Sequence, residues 1–303
     1  MIGRAWALVF ARAGKDVILF DPVEGAATRA LAQIESAAGD LKDIGLVDET
    51  PATIAGRCRI ASSLADALAN ADYVQENGPE DLETKKAIYL EMDGLAGAGV
   101  PLASSTSGIR ASDFSADVPG RDRCLVAHPV NPPSVVPLVE LSPAPWTSDE
   151  AVAKTRALME EVGQQPTTVL KEIDGFILNR LQGALLNESM RLVADGYVST
   201  ADLDRTVKHG LGLRWSFMGP METIDLNAPK GVPDYSARYG PIYYKVAQES
   251  DARPWDDALY GQVAKDRREI LSLDDHTDRQ AWRDRRLMAL AKHKKDSDEK
   301  FGT

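Results

Sequence analysis

Apolar positions recur at two different periods along the chain, and the change from one to the other outlines the architecture. Ala5, Leu8, Val9 and Arg12 share one helical face, so residues 2–13 read as a helix that Gly14 stops. DVILFD follows as a short, continuously apolar strand, of the kind buried on both faces of a parallel sheet. Residues 25–44 read as a long helix with Leu31, Ile34 and Leu41 on one side. RIASSLADALANADYVQE reads strand, helix, strand, and DLETKKAIYLEMDGLA is a helix. VPLASSTSG is a strand running into a polar turn, RCLVAHPVNPP a strand that breaks at prolines, and PLVELSP a further strand. A helix over 148–162 and the segment PTTVLKEIDG close the alternation, which predicts an α/β domain with a mainly parallel sheet over 1–173. From Asp174 only helical spacing remains, predicting an all-helical domain over 174–303. Asp174 reads as the cap of a helix carrying Phe176, Ile177, Leu181, Leu185 and Leu192, with Gly196 ending it. Thr200 and Asp202 open the next helix, and the charged tail from Asp274 reads as a solvated helix that frays.

Composition narrows the partners. A net charge of −11 argues against nucleic acid and anionic membranes, although it leaves room for a local basic pocket. Cys58 and Cys124 are too few for a disulfide framework and are not in metal-site spacing, which fits a reducing, cytoplasmic compartment. The apolar run AWALVFA is short and runs toward a strand, so it reads neither as a signal peptide nor as a membrane span.

Three groups of residues carry chemistry. MIGRAWALVFARAGKDVILFDP has the order helix, strand, acid of a dinucleotide-binding unit, without the strand and glycine turn that precede the helix in such units. Asp21 stands 18 residues after Gly3, where an acid would bind the adenosine ribose and repel a 2′-phosphate. It reads equally well as the acid of a turn. The second group comprises Ser107 in STSG, His128 in AHPVNPP and Glu140 in LVEL. Hydride removal from a secondary alcohol needs a base for the hydroxyl proton, and a histidine oriented by a carboxylate supplies one. His128 and Glu140 lie on successive strands joined by a proline-bounded turn, so antiparallel pairing would bring them together, with Ser107 at an earlier strand end. Third, DGFILNRL places Asn179 in an otherwise apolar first helical turn, where its amide reads either as a bridge between substrate and serine or as a cap for buried backbone.

The series HPVNPP, PLVEL, EIDGFILNRLQ, GLGLRWSFMGPMET, with the tail RQAWRDRRLMALAKHK, resembles the 3-hydroxyacyl-CoA dehydrogenase family, in particular its λ-crystallin and L-gulonate 3-dehydrogenase branch. The resemblance implies a Rossmann-type domain followed by a helical domain, NAD as cofactor, and a homodimer formed through the helical domain. It makes His128 the base, Glu140 its partner, and Ser107 and Asn179 the pair that positions substrate. It assigns Glu80, Lys85 and Asn131 to the cofactor; otherwise Glu80 and Lys85 read as helix-terminal and surface charges. Members read GxGxIGRxWA, so Met1, Ile2 and Gly3 fall on the end of the glycine turn. The sheet is then expected without its first strand, with two neighbouring edges unpaired and the chain as given holding NAD weakly.

Two functions compete. The first is NAD-dependent oxidation of an L-3-hydroxy acid or its CoA thioester. The bases Arg29, Lys42 and Arg57 are outnumbered by acids over 25–57, which is poor for CoA phosphates, and Arg214 in GLGLRW could hold a substrate carboxylate or form a salt bridge. The second is a non-catalytic crystallin-like protein, which would need none of His128, Glu140, Ser107 and Asn179. A hydroxyacid dehydrogenase of the 6-phosphogluconate type is set aside, because the DGFILNRL turn lacks the lysine that chemistry uses.

Overall fold

The structure, a computed structural model, describes residues 2–250 and 254–302. Contacts divide the chain into two compact units, one built from the segment ending at Arg180 together with Trp282–Lys295, the other from Leu181–Ala281 and the segment beginning at Asp296.

The first unit alternates helices and strands in the order α1 (Ile2–Arg12), β1 (Val17–Leu19), α2 (Ala26–Asp43), α3 (Pro51–Ala55), β2 (Cys58–Ile60), α4 (Leu64–Leu68), β3 (Val74–Glu76), α5 (Leu82–Leu95), β4 (Leu102–Ser104), α6 (Ala111–Ser115), β5 (Cys124–Pro129), β6 (Leu138–Pro143), α7 (Asp149–Glu161) and β7 (Gln165–Thr168). Strands β3-β4-β5-β6-β7 form one sheet in that order, parallel except for the antiparallel β5–β6 pair, while β1 and β2 pair in a separate parallel ribbon. Among the described residues β1 and β3 each keep one edge without a strand partner, as the sequence leads one to expect of the two neighbours.

Strand alternation sorts side chains into two cores. Leu125, Ala127, Val139 and Leu141 pack with Trp6 and Val9 of α1 and Met159 of α7 on one face. Leu102, Cys124 and Val126 pack with Tyr89, Met92 and Phe114 on the other. His128 and Glu140 continue the second set by parity, so this face changes from apolar to polar at the carboxyl end of β5. Local signals bound the elements: the Asp81 carboxylate accepts the Thr84 N–H at the start of α5 (2.9 Å), a cap contributing about 1 kcal/mol.

The second unit is helical, with α8 (Leu178–Ala194) from Leu181 onward, α9 (Thr200–Thr206), α10 (Gly212–Trp215), α11 (Pro220–Leu226), α12 (Val232–Glu249), α13 (Asp257–Ile270) and parts of α14 (His276–Phe301). Two local expectations change. α8 begins at Leu178, because Gly175 and Phe176 both adopt positive φ (76° and 51°) and hold 174–177 in a turn; Asp174 pairs with Arg110 (3.5 Å) and caps nothing. α9 begins at Thr200 as the sequence suggests, with the Ser199 hydroxyl capping it by accepting the Asp202 N–H. The charged tail is a 26-residue helix whose Met288 is buried against Ala7, Leu8, Ile34 and Leu41. Met288 thus anchors a stretch that its charge alone describes as solvated.

Candidate active site

β5 and β6 place His128 opposite Glu140 in antiparallel register, with both side chains on the same face. His128 Nδ1 lies 2.9 Å from Glu140 Oε2, with the imidazole 5% and the carboxylate residue 1% exposed. The other oxygen, Oε1, accepts the N–H groups of Ile177 and Leu178, both at 2.8 Å. These are donors at the start of α8, which no intrahelical partner can take. The left-handed pair Gly175–Phe176 turns them toward the carboxylate, and the buried Phe176 ring packs 5.3 Å from the imidazole. Burial pushes the Glu140 carboxyl up, but the bonds from His128, Leu178 and Ile177 outweigh it and hold the group below its usual range. Glu140 is therefore a fixed anion. A neutral imidazole donating Nδ1–H to it leaves Nε2 with the lone pair, the nitrogen that can take a proton.

Asn179, the second residue of α8, donates from Nδ2 to the Ser107 carbonyl (2.8 Å). His128, Glu140, the first residues of α8, Asn179 and Ser107 thus form one connected chain, which is the set that the sequence singles out. Asn179 bonds the backbone of Ser107, so its amide oxygen and the exposed Ser107 hydroxyl are the atoms left for other work.

The remaining predicted residues are placed as follows. Ile2 and Gly3 form the first turn of α1; a Cβ on Gly3 would meet the Asn77 side chain at 3.4 Å. Met1 lies outside the described residues. Asp21 is exposed just beyond β1, with Oδ1 accepting the Val23 N–H (2.9 Å) in an Asx turn. Asn131 is exposed in the β5–β6 connection. Arg214 belongs to the second unit, on α10, and among the described residues forms no ion pair. Glu80 faces the STSG turn, its Oε1 accepting the Thr106 hydroxyl and the N–H groups of Ser107 (3.0 Å) and Gly108 (3.1 Å).

Lys85 is not a surface lysine. Its side chain is 1% exposed, and the ammonium donates to both oxygens of Glu76 (3.0 and 3.1 Å), with the Ser104 hydroxyl on the same carboxylate (2.6 Å). Burial of two charges is tolerable here because they are paired and further hydrogen-bonded. Sequence reasoning missed Glu76 and Ser104, the last residues of β3 and β4, since their pairing with Lys85 depends on strand order and on the seating of α5. It also missed a hub at Ser105, whose hydroxyl accepts from Trp6 Nε1 (3.0 Å) and Gln75 Nε2 (2.7 Å) and donates to Asn77 (2.8 Å). Only the serine and threonine run in the turn hinted at it.

With this geometry in view, comparison with known proteins is decisive. Residues 1–173 match the model of the 3-hydroxyacyl-CoA dehydrogenase NAD binding domain, and residues 175–262 that of the C-terminal domain of the same family. The chain belongs to the 3-hydroxyacyl-CoA dehydrogenase family. It is 40% identical to the human lambda-crystallin homolog over 97% of this chain and 93% of that one. It is 33% identical to L-carnitine dehydrogenase of Pseudomonas aeruginosa, over 96% and 90% of the two chains. It superposes on 5-formyl-3-hydroxy-2-methylpyridine 4-carboxylic acid 5-dehydrogenase, an NAD+ dependent dismutase, with a TM-score of 0.82 at 27% identity, covering 95% of this chain and 94% of the other. The family is one of NAD-dependent oxidoreductases of the 3-hydroxyacyl-CoA dehydrogenase type. The first turn of α1 suits that cofactor: helix-terminal N–H groups beside a residue without Cβ are what a pyrophosphate requires. Among the described residues no helix is long and apolar enough to cross a membrane.

Proposed function

We propose that this chain oxidises the 3-hydroxyl of a small L-3-hydroxy acid to the 3-oxo product, with His128 as the base. The observation that carries this reading is the doubly anchored Glu140 carboxylate against His128 Nδ1. NAD supplies the acceptor for the hydride leaving C3. His128 Nε2 takes the hydroxyl proton as that hydride leaves, and the Glu140 carboxylate stabilises the resulting imidazolium without itself becoming protonated. The Ser107 hydroxyl and the Asn179 amide position the substrate oxygen. Gly3 and the start of α1 would hold the pyrophosphate, Asp21 the adenosine ribose, and Asn131 and Glu80 the nicotinamide half. Lys85 acts indirectly, by neutralising Glu76 beneath the strand ends.

A free acid is favoured over a CoA thioester because the bases of the α2–α3 region are engaged. Arg57 pairs with Glu49 (2.5 Å) and donates to the Ala11 carbonyl, and Lys42 donates to the Asp48 carbonyl. Only Arg29 remains for CoA phosphates. Within the second unit, Arg214 carries the guanidinium suited to a carboxylate, which it would bind with two bonds. The relative that carries the name L-carnitine dehydrogenase points to the same substrate class. A homodimer through the helical unit is part of the same reading, supported by exposed apolar side chains such as Tyr243, Tyr244 and Ile242 on α12. A purely structural role is disfavoured by the buried His128–Glu140 pair, whose desolvation gives a scaffold no return. The test is NADH formation across gulonate, carnitine, 3-hydroxybutyrate and 3-hydroxybutyryl-CoA. The expected result is a higher kcat/KM for at least one free acid than for the thioester; turnover of the thioester alone overturns the free-acid assignment.

A further inference from the structure

The loop between β3 and α5 grips the turn that carries Ser107. Oε1 of Glu80 receives three donors from that turn: the Thr106 hydroxyl and the N–H groups of Ser107 and Gly108. The Thr106 Oγ1 in turn accepts the N–H groups of Gly108 (3.3 Å) and Ile109 (2.9 Å). Successive N–H groups converging on one point form an anion nest, and here a side chain of the same chain fills it. From the opposite side, Asn179 Nδ2 binds the Ser107 carbonyl. The peptide groups on both sides of the Ser107 Cα are therefore fixed, and its hydroxyl projects from a rigid turn.

Glu80 is itself delivered from a fixed base. The Glu76 carboxylate accepts the Gly78 N–H and is clamped by Lys85 and Ser104. A Cβ on Gly78 would lie 2.8 Å from Glu76 Oε1 and 3.0 Å from Ile88 Cδ1, so the loop passes the carboxylate as closely as glycine allows. The ends of β3 and β4 and the start of α5 thus act as one unit, with Glu80 its outermost group.

We infer that Glu80 is a positioning residue for Ser107: its carboxylate fills the N–H nest of the Ser105–Gly108 turn and fixes the serine hydroxyl for the substrate, in addition to any contact with cofactor. This rests on the dehydrogenase reading only for what Ser107 then does. The clamp itself is a statement about amide hydrogens and is tested separately.

The first measurement is hydrogen–deuterium exchange of peptides covering residues 105–110 in the full chain. Glu80→Ala speeds exchange there, whereas Glu80→Gln, whose amide oxygen accepts the same three donors, keeps most of the protection. Unchanged exchange in Glu80→Ala overturns the proposal, whatever reaction the protein catalyses. The second measurement is steady-state kinetics with the best hydroxy acid. Glu80→Ala lowers kcat by about 10- to 100-fold, the usual loss when a reacting partner is slightly misplaced, with Glu80→Gln restoring the greater part. In the Ser107→Ala background, Glu80→Ala lowers kcat by less than about twofold, because the group it positions is gone. A raised KM for NAD with kcat preserved, or full additivity with Ser107→Ala, makes Glu80 a cofactor contact or a scaffold residue and overturns the proposal. Altered exchange in a protein that oxidises no hydroxy acid leaves the clamp standing and removes the dehydrogenase reading.

Discussion

Both oxygens of Glu140 are occupied, one by an imidazole and one by two backbone N–H groups, and two pH effects follow. Its carboxyl titrates below the usual range in the folded state, so its stabilisation is complete above the unfolded value of about 4.3 and is lost as pH falls through the lower folded value. The urea midpoint of the wild type should therefore fall more steeply below pH ~4 than that of Glu140→Gln. Glu140→Gln also removes the anion that favours the imidazolium, so the acid limb of the oxidation rate moves to lower pH while kcat declines. An acid limb at the same pH in both proteins would detach Glu140 from the proton transfer. In the proposed function Asp21 sets cofactor choice, since a 2′-phosphate would meet its charge; Asp21→Ala should then narrow the preference for NAD over NADP by about 10-fold, measured as the ratio of the two kcat/KM values. At this scale the His128–Glu140 pair was legible because two strand ends joined by a short proline turn have few ways to pair. The burial of Lys85 was not, since nothing in the spacing from Glu76 shows that α5 folds its ammonium inward.

The start of α8 shows how an element can be read correctly and begin in the wrong place. Apolar spacing extends through Phe176 and Ile177, yet both precede the helix, because Gly175 and Phe176 are left-handed. Phe176 is the only non-glycine with positive φ among the described residues, and its buried ring against His128 offsets that strain. Periodicity cannot report such a conformation; the glycine before it was the only signal. A Cβ on Gly175 would have ordinary clearance from Asn179 (3.5 Å), so the cost of Gly175→Ala comes from its φ of 76°. The substitution should lower stability by about 1–2 kcal/mol and kcat together, as the Ile177 and Leu178 N–H groups swing off Glu140. Unfolding and turnover measured on the same preparation check this; lost stability with full kcat would separate the turn from the site.

Across the whole molecule, the last helix is part of the first unit's core. Met288 completes the cluster of α1, α2 and β2, so α14 supports the helix whose first turn is proposed to hold the cofactor. Met288→Ala should cost about 2 kcal/mol in urea unfolding, the low end for a buried methionine because 6% remains exposed. A cost near zero would return the tail to the solvated helix that its charge suggests. The alternating α/β half and the helical half were legible from period alone. The burial of Met288 was not, because one methionine among charges carries no periodic signal.

The most direct measurement is NADH formation from the best L-3-hydroxy acid by the wild type and by His128→Gln, with NAD affinity measured alongside by titration. The expected result is a kcat about 10²–10⁴-fold lower in the variant at unchanged NAD affinity, since only the proton acceptor has been removed. Equal turnover in the two proteins would contradict the assignment of His128 as the base.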